Sequence, residues 1–357
     1  MNNLFNFAEP KKLIHSPIGK KRNLLKKYFF TNNKLSVINI LLVVVLIFLL
    51  LFALISLIFS NKPYSDNEKL LGVNENIGAF FTVTYKKISY AGEKETNQIT
   101  LEIYKNIKLY NIPHKIETNV FGKQEIIFNP RDYLNVIYGR KIIFFGTDSF
   151  GNDVFIYSLK LFITSTGIAS LIFFFELILG MYLGIYFAIN QNKFFRNLLK
   201  ILNVFISIPD VIFLILVSIF VRNINIIYLF IFFSGVLRML YWSYQYSYKE
   251  TNSDYFIALL ANNVSINRII FKHLFLKILG RILILFMRRI GYIIFLIATL
   301  EFIGAPLKNN IAIVLKNNWT TRDENVWKII FPTFYLFIFL IITQFIATRI
   351  AKTLDEK

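Results

Sequence analysis

The sequence predicts an all-α integral membrane protein with about six transmembrane helices and a small strand-rich external insertion. Of its 357 residues, 55% are hydrophobic and only 17% are charged, whereas soluble domains average about 25% charged residues. Several apolar runs reach the roughly 20 residues that a helix needs to cross the hydrocarbon core of a bilayer. Lys and Arg are concentrated between alternate runs, as in proteins that cross a membrane repeatedly.

Six apolar runs are the predicted transmembrane helices, because lipid offers no hydrogen-bond partners to an open backbone structure. The first run is longer than the roughly 7–15 residues of a signal-peptide core, so we expect it to remain as an anchor. The runs cover residues 36–59, 161–189, 201–221, 224–242, 282–303 and 329–348.

The distribution of Lys and Arg predicts the orientation. Eight basic residues precede the first run, against a single acid, Glu9. Over the whole chain, 21 basic residues fall on the predicted inner side and five in the two short outer loops. Because cytoplasmic loops are enriched in Lys and Arg, we expect a multi-pass protein of the plasma membrane with both termini in the cytoplasm. The net charge of +19 then reflects membrane topology, and no nucleic-acid partner is predicted.

The chain divides into four predicted parts, one of which is an external insertion between the first two predicted helices. In the insertion, the alternation at 81–85 and again at 99–103 is typical of half-buried strands. The insertion could dock a partner, cover a pathway or simply cap the first two helices. The parts are a basic N-terminal segment (1–35), the first helix (36–59), the external insertion (60–145) and a transmembrane domain (146–357).

The sequence contains no recognisable catalytic or nucleotide-binding motif. Without cysteine, the chain has no disulfide, no Cys-ligated metal and no thiol catalysis. Its three histidines, His15, His114 and His273, are far apart in sequence, which argues against a shared metal site. Neither a phosphate-binding loop nor a catalytic Ser or zinc motif occurs. We therefore predict no catalytic, cofactor-binding or metal-binding residues, and energy supplied by a partner or an ion gradient.

One motif lies just before the second run, where Gly146-Thr147-Asp148-Ser149-Phe150-Gly151-Asn152-Asp153-Val154 stands at the predicted external mouth. Thr147 and Asp148 can cap a short helix, and Gly151 permits a turn. The simplest interpretation is a helix start without chemistry, and the alternative is a hinge or docking edge. The candidate residues are Gly146, Thr147, Asp148, Gly151 and Asp153.

A second motif lies in the predicted cytoplasmic connection at about 243–281. A short apolar helix between basic residues is expected to expose four side chains, and exposed apolar patches mark contact surfaces. Alternatively, this helix lies on lipid headgroups. The turn after it requires a left-handed residue, a conformation that Asn263 adopts more readily than a β-branched residue. The side chains expected to be exposed are Tyr255, Phe256, Leu259 and Leu260.

These two motifs resemble those of the oligopeptide and dipeptide ABC-importer permeases, specifically their second, OppC/DppC-like subunit, an inner-membrane component of binding-protein-dependent transport systems. The first motif is similar to the family's Gly-Thr-Asp-x-x-Gly-Arg-Asp-Val, with Asn152 in place of Arg. The second is similar to Asp-Tyr-x-Glu-Ala-Ala-x-x-x-Gly-Ala-Ser followed by Arg-Ile-Ile-x-x-His. It departs from the pattern at Ile257, Leu259, Asn263 and Leu276, where the family has Glu, Ala, Gly and Pro.

The resemblance implies a type I importer that takes up oligopeptides or dipeptides, with a second homologous permease, two ABC ATPase subunits and an extracellular substrate-binding protein as partners. The chain itself would bind no cofactor, because the ATPase subunits use the ATP. Alternatives are a permease for another solute such as nickel, or an ion-driven secondary transporter. The residues that the resemblance places in the ATPase-coupling loop are Asp254, Tyr255, Phe256, Ala258, Leu259, Asn263, Ser265, Arg268 and His273.

Charged residues inside the apolar runs are candidates for function, because burying a charge in a membrane is costly. Glu176 falls near the middle of the second predicted helix and either lines the pathway or bonds to another helix. Arg238 is expected to extend to the cytoplasmic interface, and Arg288 and Arg289 to lie nearer that same side.

Overall fold

The fold is mainly helical in the computed structural model. It describes residues 29–31, 34–59, 73, 75–90, 97–120, 123–139, 144–190, 192–305, 307, 310–321 and 325–355. Most of the predicted N-terminal segment lies outside these residues.

The N-terminal part contains a short hairpin, the first long helix and the elements of the insertion. In chain order these are β1 (Phe30–Thr31), β2 (Lys34–Leu35), α1 (Val37–Phe59), β3 (Lys86–Tyr90), α2 (Gln98–Leu109), β4 (His114–Thr118), β5 (Gln124–Phe128) and α3 (Pro130–Tyr138).

In the remaining part, the regular elements of the described residues are all helices. Its elements are α4 (Val154–Ile189), α5 (Lys193–Ser207), α6 (Asp210–Phe220), α7 (Ile224–Thr251), α8 (Asp254–Ala261), α9 (Ile266–Arg268), a π-helical segment (Ile269–Leu274), α10 (Phe275–Ile303), α11 (Ile311–Asn318) and α12 (Trp327–Asp355).

The predicted all-α membrane fold with a small sheet-containing insertion is confirmed. Among the described residues, α1, α4, α7 and α12 are each long and apolar enough to cross a membrane, and α5 with α6 makes a fifth candidate if the bent pair is one span. The sequence predicts six spans. Its run at 282–303 lies within α10, a helix of 29 residues that is not among these candidates.

The third predicted helix, 201–221, is not one straight helix. The structure divides it into α5 and α6, with a bend of 80° between them. Pro209 is the physical reason. The residue before a proline is driven out of the α region, and Ile208 accordingly has φ −76° and ψ 128°.

The helical core is formed chiefly by α4, α7, α10 and α12. Phe162, Phe173, Ile231 and Ile293 are completely buried in it. Helices α4 and α7 approach closely at Gly180, where an added Cβ would lie 2.6 Å from the Cβ of Met239. Small residues allow this close backbone approach between membrane helices.

The insertion has its own core around a three-stranded antiparallel sheet in the order β3-β5-β4. The strand predicted at 99–103 is wrong, because these residues lie in α2. Asn97 caps this helix by accepting a hydrogen bond from Ile99 N (3.0 Å). Thr100, Ile103 and Ile107 are buried at spacings of three and four residues, the period of a helix.

The strand predicted at 81–85 is also wrong. Its backbone forms a local turn, in which Thr82 N donates to Ala79 O at 2.8 Å, and the strand begins only at Lys86. Arg131 of α3 donates to the carbonyls of Gly78 and Phe80 at 2.5 and 2.8 Å. The insertion therefore mixes helices and strands in similar measure.

Candidate functional site

Helix α8 forms the centre of the predicted coupling loop. Phe256 is buried in the helical core, in the same cluster as Ile269 and Leu274. Tyr255 and Ile257 are exposed by 45% and 58%. The expectation that Phe256 is exposed is therefore wrong, because this ring anchors the helix. The exposed apolar side chains of α8 are Tyr255, Ile257 and Leu260, and Leu259 is half-buried.

The turn after α8 has the geometry that the sequence predicts. Asn263 has φ 49°, in the left-handed region. Its N–H donates to Leu260 O at 3.0 Å, and Val264 N donates to Leu259 O at 3.2 Å. These bonds satisfy the last carbonyl groups of the helix, as left-handed C-caps do.

The segment that follows the turn contacts α8 through Tyr255 and helps to hold it in place. Ser265 directly precedes α9 and Arg268 is its last residue, and both side chains are exposed. His273 Nδ1 contacts the hydroxyl of Tyr255, and the Lys277 ammonium lies 5.5 Å from the centre of the Tyr255 ring. The exposed face of α8 is thus connected to the beginning of α10.

A further ion-pair cluster joins this segment to α7. Glu250, near the end of α7, pairs with Lys277 and with Arg281, the latter at 3.7 Å. Asp254 and Ala258 are exposed on α8. The predicted coupling residues are therefore gathered in one unit, packed on the ends of α7 and α10.

The external motif is a compact loop, although its cap differs from the prediction. Asp153, rather than Thr147 or Asp148, caps α4 by accepting hydrogen bonds from Phe155 N and Ile156 N at 2.8 and 3.4 Å. A cap must directly precede the first helical residue, which is Val154.

Asp148 instead organises the loop itself. Its Oδ1 accepts hydrogen bonds from Phe150 N and Asn152 N at 2.9 and 2.8 Å. Burial raises the pKa of the Asp148 carboxyl, while hydrogen bonds from Asn152 and the charge of Lys328 act in the opposite direction. Gly146 and Gly151 have φ 81° and 75°, which favours glycine at both positions.

The same loop fastens three parts of the chain together. Thr147 Oγ1 accepts a hydrogen bond from Ile77 N at 2.9 Å. Asn325 Nδ2, near the start of α12, donates to Phe145 O at 2.8 Å. The motif therefore joins the insertion, the beginning of α4 and the beginning of α12, an arrangement that suits a structural junction.

Glu176 belongs to a buried cluster of charges. Arg289 binds it with two parallel hydrogen bonds, Nε to Oε2 and Nη2 to Oε1, both 2.9 Å. Asp210 accepts from Arg289 Nη1 at 3.3 Å and from Arg238 Nη2 at 2.8 Å. We call Glu176, Asp210, Arg238 and Arg289 the charge network.

This geometry bears on two expectations about charges in the membrane. Glu176 is fully buried and binds Arg289 of another helix, which is the second of the two interpretations that its sequence position allows. Arg238 does not extend to the interface, because it pairs with Asp210. Asp210 was missed as a site residue, although an acid within an apolar run is the signal that could have found it.

Residues 180–356 match the family of binding-protein-dependent transport system inner membrane components. The matched segment, just under half of the chain, is similar to these transport permeases, and the long apolar helices are those of a multi-pass membrane protein. No curated protein matches the chain.

The family match covers the coupling loop and most of the charge network. It begins within α4 and includes all of α12, so that it contains Asp210, Arg238 and Arg289. The external motif and the insertion precede it. In the described residues, no group of three or more His, Asp and Glu side chains could hold a metal ion.

Proposed function

We propose that this chain is one permease subunit of an ABC importer for oligopeptides or dipeptides. It forms the pathway with a second homologous permease, receives substrate from an extracellular binding protein and is driven by two ATPase subunits on the cytoplasmic side. The chain binds no cofactor and is no enzyme, because the ATP is used by its partners.

The observation that carries the proposal is the coupling unit inside the family-matched segment. Helix α8 presents Tyr255, Ile257 and Leu260 outward, while Phe256 holds it to the core. Exposed apolar side chains on a helix that is anchored to the core suit docking to another protein. Only residues 262–265 separate α8 from the continuous helical run of α9, the π-helical segment and α10, so that a push on α8 is received by α10.

The basic residues around α8 support its cytoplasmic location. Lys249, Lys272 and Lys277 lie on either side of α8 in the sequence. Cytoplasmic segments are enriched in such residues. On this basis both termini are cytoplasmic and the insertion is external.

Peptide is the proposed substrate class because both motifs resemble those of the peptide permeases. A nickel permease has the same architecture and differs in which solute stimulates ATP hydrolysis. An ion-driven secondary transporter remains the alternative from another class. It requires its own coupling site, and the charge network is already internally paired.

Reconstitution of the complete complex tests the energy supply. The isolated chain should neither bind nor hydrolyse ATP, because it lacks a phosphate-binding loop. The complex with both ATPases should hydrolyse ATP faster when peptide-loaded binding protein is added, and not when nickel-loaded protein is added. Transport that continues in vesicles with an ion gradient and no ATP would favour the secondary transporter.

A matched pair at position 260 tests the docking surface itself. Leu260→Asp places a charge among the exposed apolar side chains of α8, whereas Leu260→Ile keeps the position apolar. The Asp variant should reduce copurification of the ATPase subunits with the permease, and the Ile variant should not. Equal copurification of both variants would place the ATPase contact elsewhere.

A further inference from the structure

The charge network joins four helices at one point of the helical core. Glu176 lies on α4, Asp210 on α6, Arg238 on α7 and Arg289 on α10. The ion-pair distances are 2.9 Å for Glu176–Arg289, 3.3 Å for Arg289–Asp210 and 2.8 Å for Arg238–Asp210. Two acids and two bases alternate along it, so its formal charges cancel.

The surrounding residues bury three of the four side chains of the charge network almost completely. The side chains of Glu176, Arg289 and Asp210 are exposed by 0%, 4% and 8%. Gly235 makes room for it, because a Cβ there would overlap the Glu176 carboxylate. Well-packed apolar side chains often stabilise a core as well as a buried ion pair does. Four charges at this position therefore suggest a role beyond packing.

The position of Asp210 suggests that role. Asp210 is the first residue of α6 and directly follows Pro209, where the chain bends by 80°. Any change in this bend must move the Asp210 carboxylate. One oxygen of that carboxylate is bound by an Arg on α7 and the other by an Arg on α10. The position of Asp210 therefore depends on both helices.

Arg289 is connected to the coupling loop by continuous helix. From Phe275 to Arg289, α10 extends for about 21 Å at roughly 1.5 Å per residue. On its cytoplasmic side, the π-helical segment and α9 lead back to the turn at Asn263 with no intervening loop apart from Val264 and Ser265. A displacement of α8 by a partner is therefore delivered along α10 to Arg289.

Resting on the proposed function, we propose that Arg289 is a positioning residue that transmits movement of the coupling loop to the bend between α5 and α6. Its Nε and Nη2 atoms fix it to Glu176, and only Nη1 reaches Asp210. At 3.3 Å, this contact is the longest ion pair of the network. A shift of α10 therefore breaks the contact between Arg289 and Asp210 before the other two. Asp210 then remains bound only to Arg238, so that α6 moves together with α7.

Two neighbouring arginines provide the variants for the test. Arg289→Lys keeps the charge and loses the planar fork that reaches two carboxylates at once. The control, Arg288→Lys, makes the same change one residue earlier, at an exposed side chain outside the network. Both variants are made in the complete complex with its second permease and ATPases.

Spin labels on either side of the bend measure the response. The chain has no cysteine, so Asn203→Cys on α5 and Ile219→Cys on α6 give one defined distance, both positions being exposed. ATP should change this distance in the unsubstituted complex and in Arg288→Lys. In Arg289→Lys the distance should not respond, and substrate-stimulated ATP hydrolysis should fall by about tenfold.

The outcomes distinguish a failure of the role proposed for the charge network from a failure of the proposed function. An Arg289→Lys complex whose distance responds to ATP like the control would overturn the network's role. If that variant fails to assemble, Asp210→Asn replaces it, because it keeps the size of the side chain and removes the charge that Arg289 holds. A normal ATP response in Asp210→Asn overturns the role equally. An unsubstituted complex that ignores ATP would contradict the proposed function and, with it, this inference.

Discussion

Asn263 shows how a single residue can set the geometry of a docking element. Its φ of 49° lies in the left-handed region, which glycine adopts most easily and asparagine more readily than β-branched residues do. The backbone N–H groups of Asn263 and Val264 close the end of α8. The orientation of the exposed side chains of α8 therefore depends on a backbone conformation rather than on a side-chain contact.

We predict opposite effects for two substitutions at this turn. Asn263→Gly should preserve transport, whereas Asn263→Val should cost about 1–3 kcal/mol in local strain. The Val variant should reach the membrane in normal amounts and lose substrate-stimulated ATP hydrolysis in the reconstituted complex. Equal hydrolysis by the two variants would show that α8 does not depend on this turn.

The sequence predicts residues of this kind well, because a turn or cap is a local requirement. It predicts partners poorly. Glu176 and Arg289 are 113 positions apart, and nothing in either neighbourhood identifies the other. Arg238 was expected at the interface on the same local reasoning. Pairing across helices is a property of packing, and four isolated charges could not be assembled into one network from the sequence.

At the scale of elements, long apolar helices were predicted and their interruptions were not. Apolar length predicts α1, α4 and α12, since crossing a bilayer imposes that length. The hydropathy of an apolar run does not indicate whether the helix is straight, so the 80° bend at Pro209 was not predicted. In the insertion, Ile99 and Ile103 fit both a two-residue and a four-residue spacing. Burial at Thr100, Ile103 and Ile107 settles the question in favour of a helix.

Two glycines of α4 offer a matched test of helix packing. At Gly180 an added Cβ would lie 2.6 Å from Met239 Cβ and 3.1 Å from Leu240 N, whereas at Gly167 it would meet nothing within 4 Å. Gly180→Ala should therefore force α4 and α7 apart and destabilise the protein by about 1–3 kcal/mol. Gly167→Ala should be neutral or slightly stabilising. Thermal unfolding of both variants in detergent measures the difference, and equal midpoints would contradict this close packing.

The start of α4 gives a second prediction at this scale. Asp153→Ala removes the acceptor for two backbone N–H groups and should cost about 0.5–2 kcal/mol. Asp153→Asn retains a capping oxygen and should cost much less. Hydrogen exchange at Phe155 and Ile156 should accelerate in the Ala variant alone. Unchanged exchange in that variant would mean that the loop around Asp148 fixes the start of α4 by itself.

At the scale of the whole molecule, the number of membrane crossings depends on two segments. Helices α1, α4, α7 and α12 satisfy length and composition. The bent pair α5 and α6 and the charged helix α10 determine whether the chain crosses six times. The asymmetry of Lys and Arg favours six crossings, because Lys and Arg are concentrated before α1, around α8 and in the last turns of α12.

Cysteine labelling distinguishes these arrangements. The sites are single substitutions at exposed positions in a cysteine-free chain: Lys115 in β4, Ser265 after α8 and Lys352 near the end of α12. Asn310 in the connection before α11 is unsuitable, because it is only 1% exposed. On intact cells an impermeant thiol reagent should label Lys115→Cys and leave the other two unlabelled until the membrane is opened.

Each site depends on a different set of crossings. Between Lys115 and Ser265 the chain passes through α4, the bent pair and α7, so these two sites lie on opposite sides only if the bent pair crosses the membrane. Between Ser265 and Lys352 it passes through α10 and α12, so a shared side requires that both cross or neither does. Because α12 is long and apolar enough to span, a shared side means that α10 spans as well. Labelling of Ser265→Cys on intact cells would make the bend at Pro209 a re-entrant loop, and α8 would then face away from any cytoplasmic ATPase.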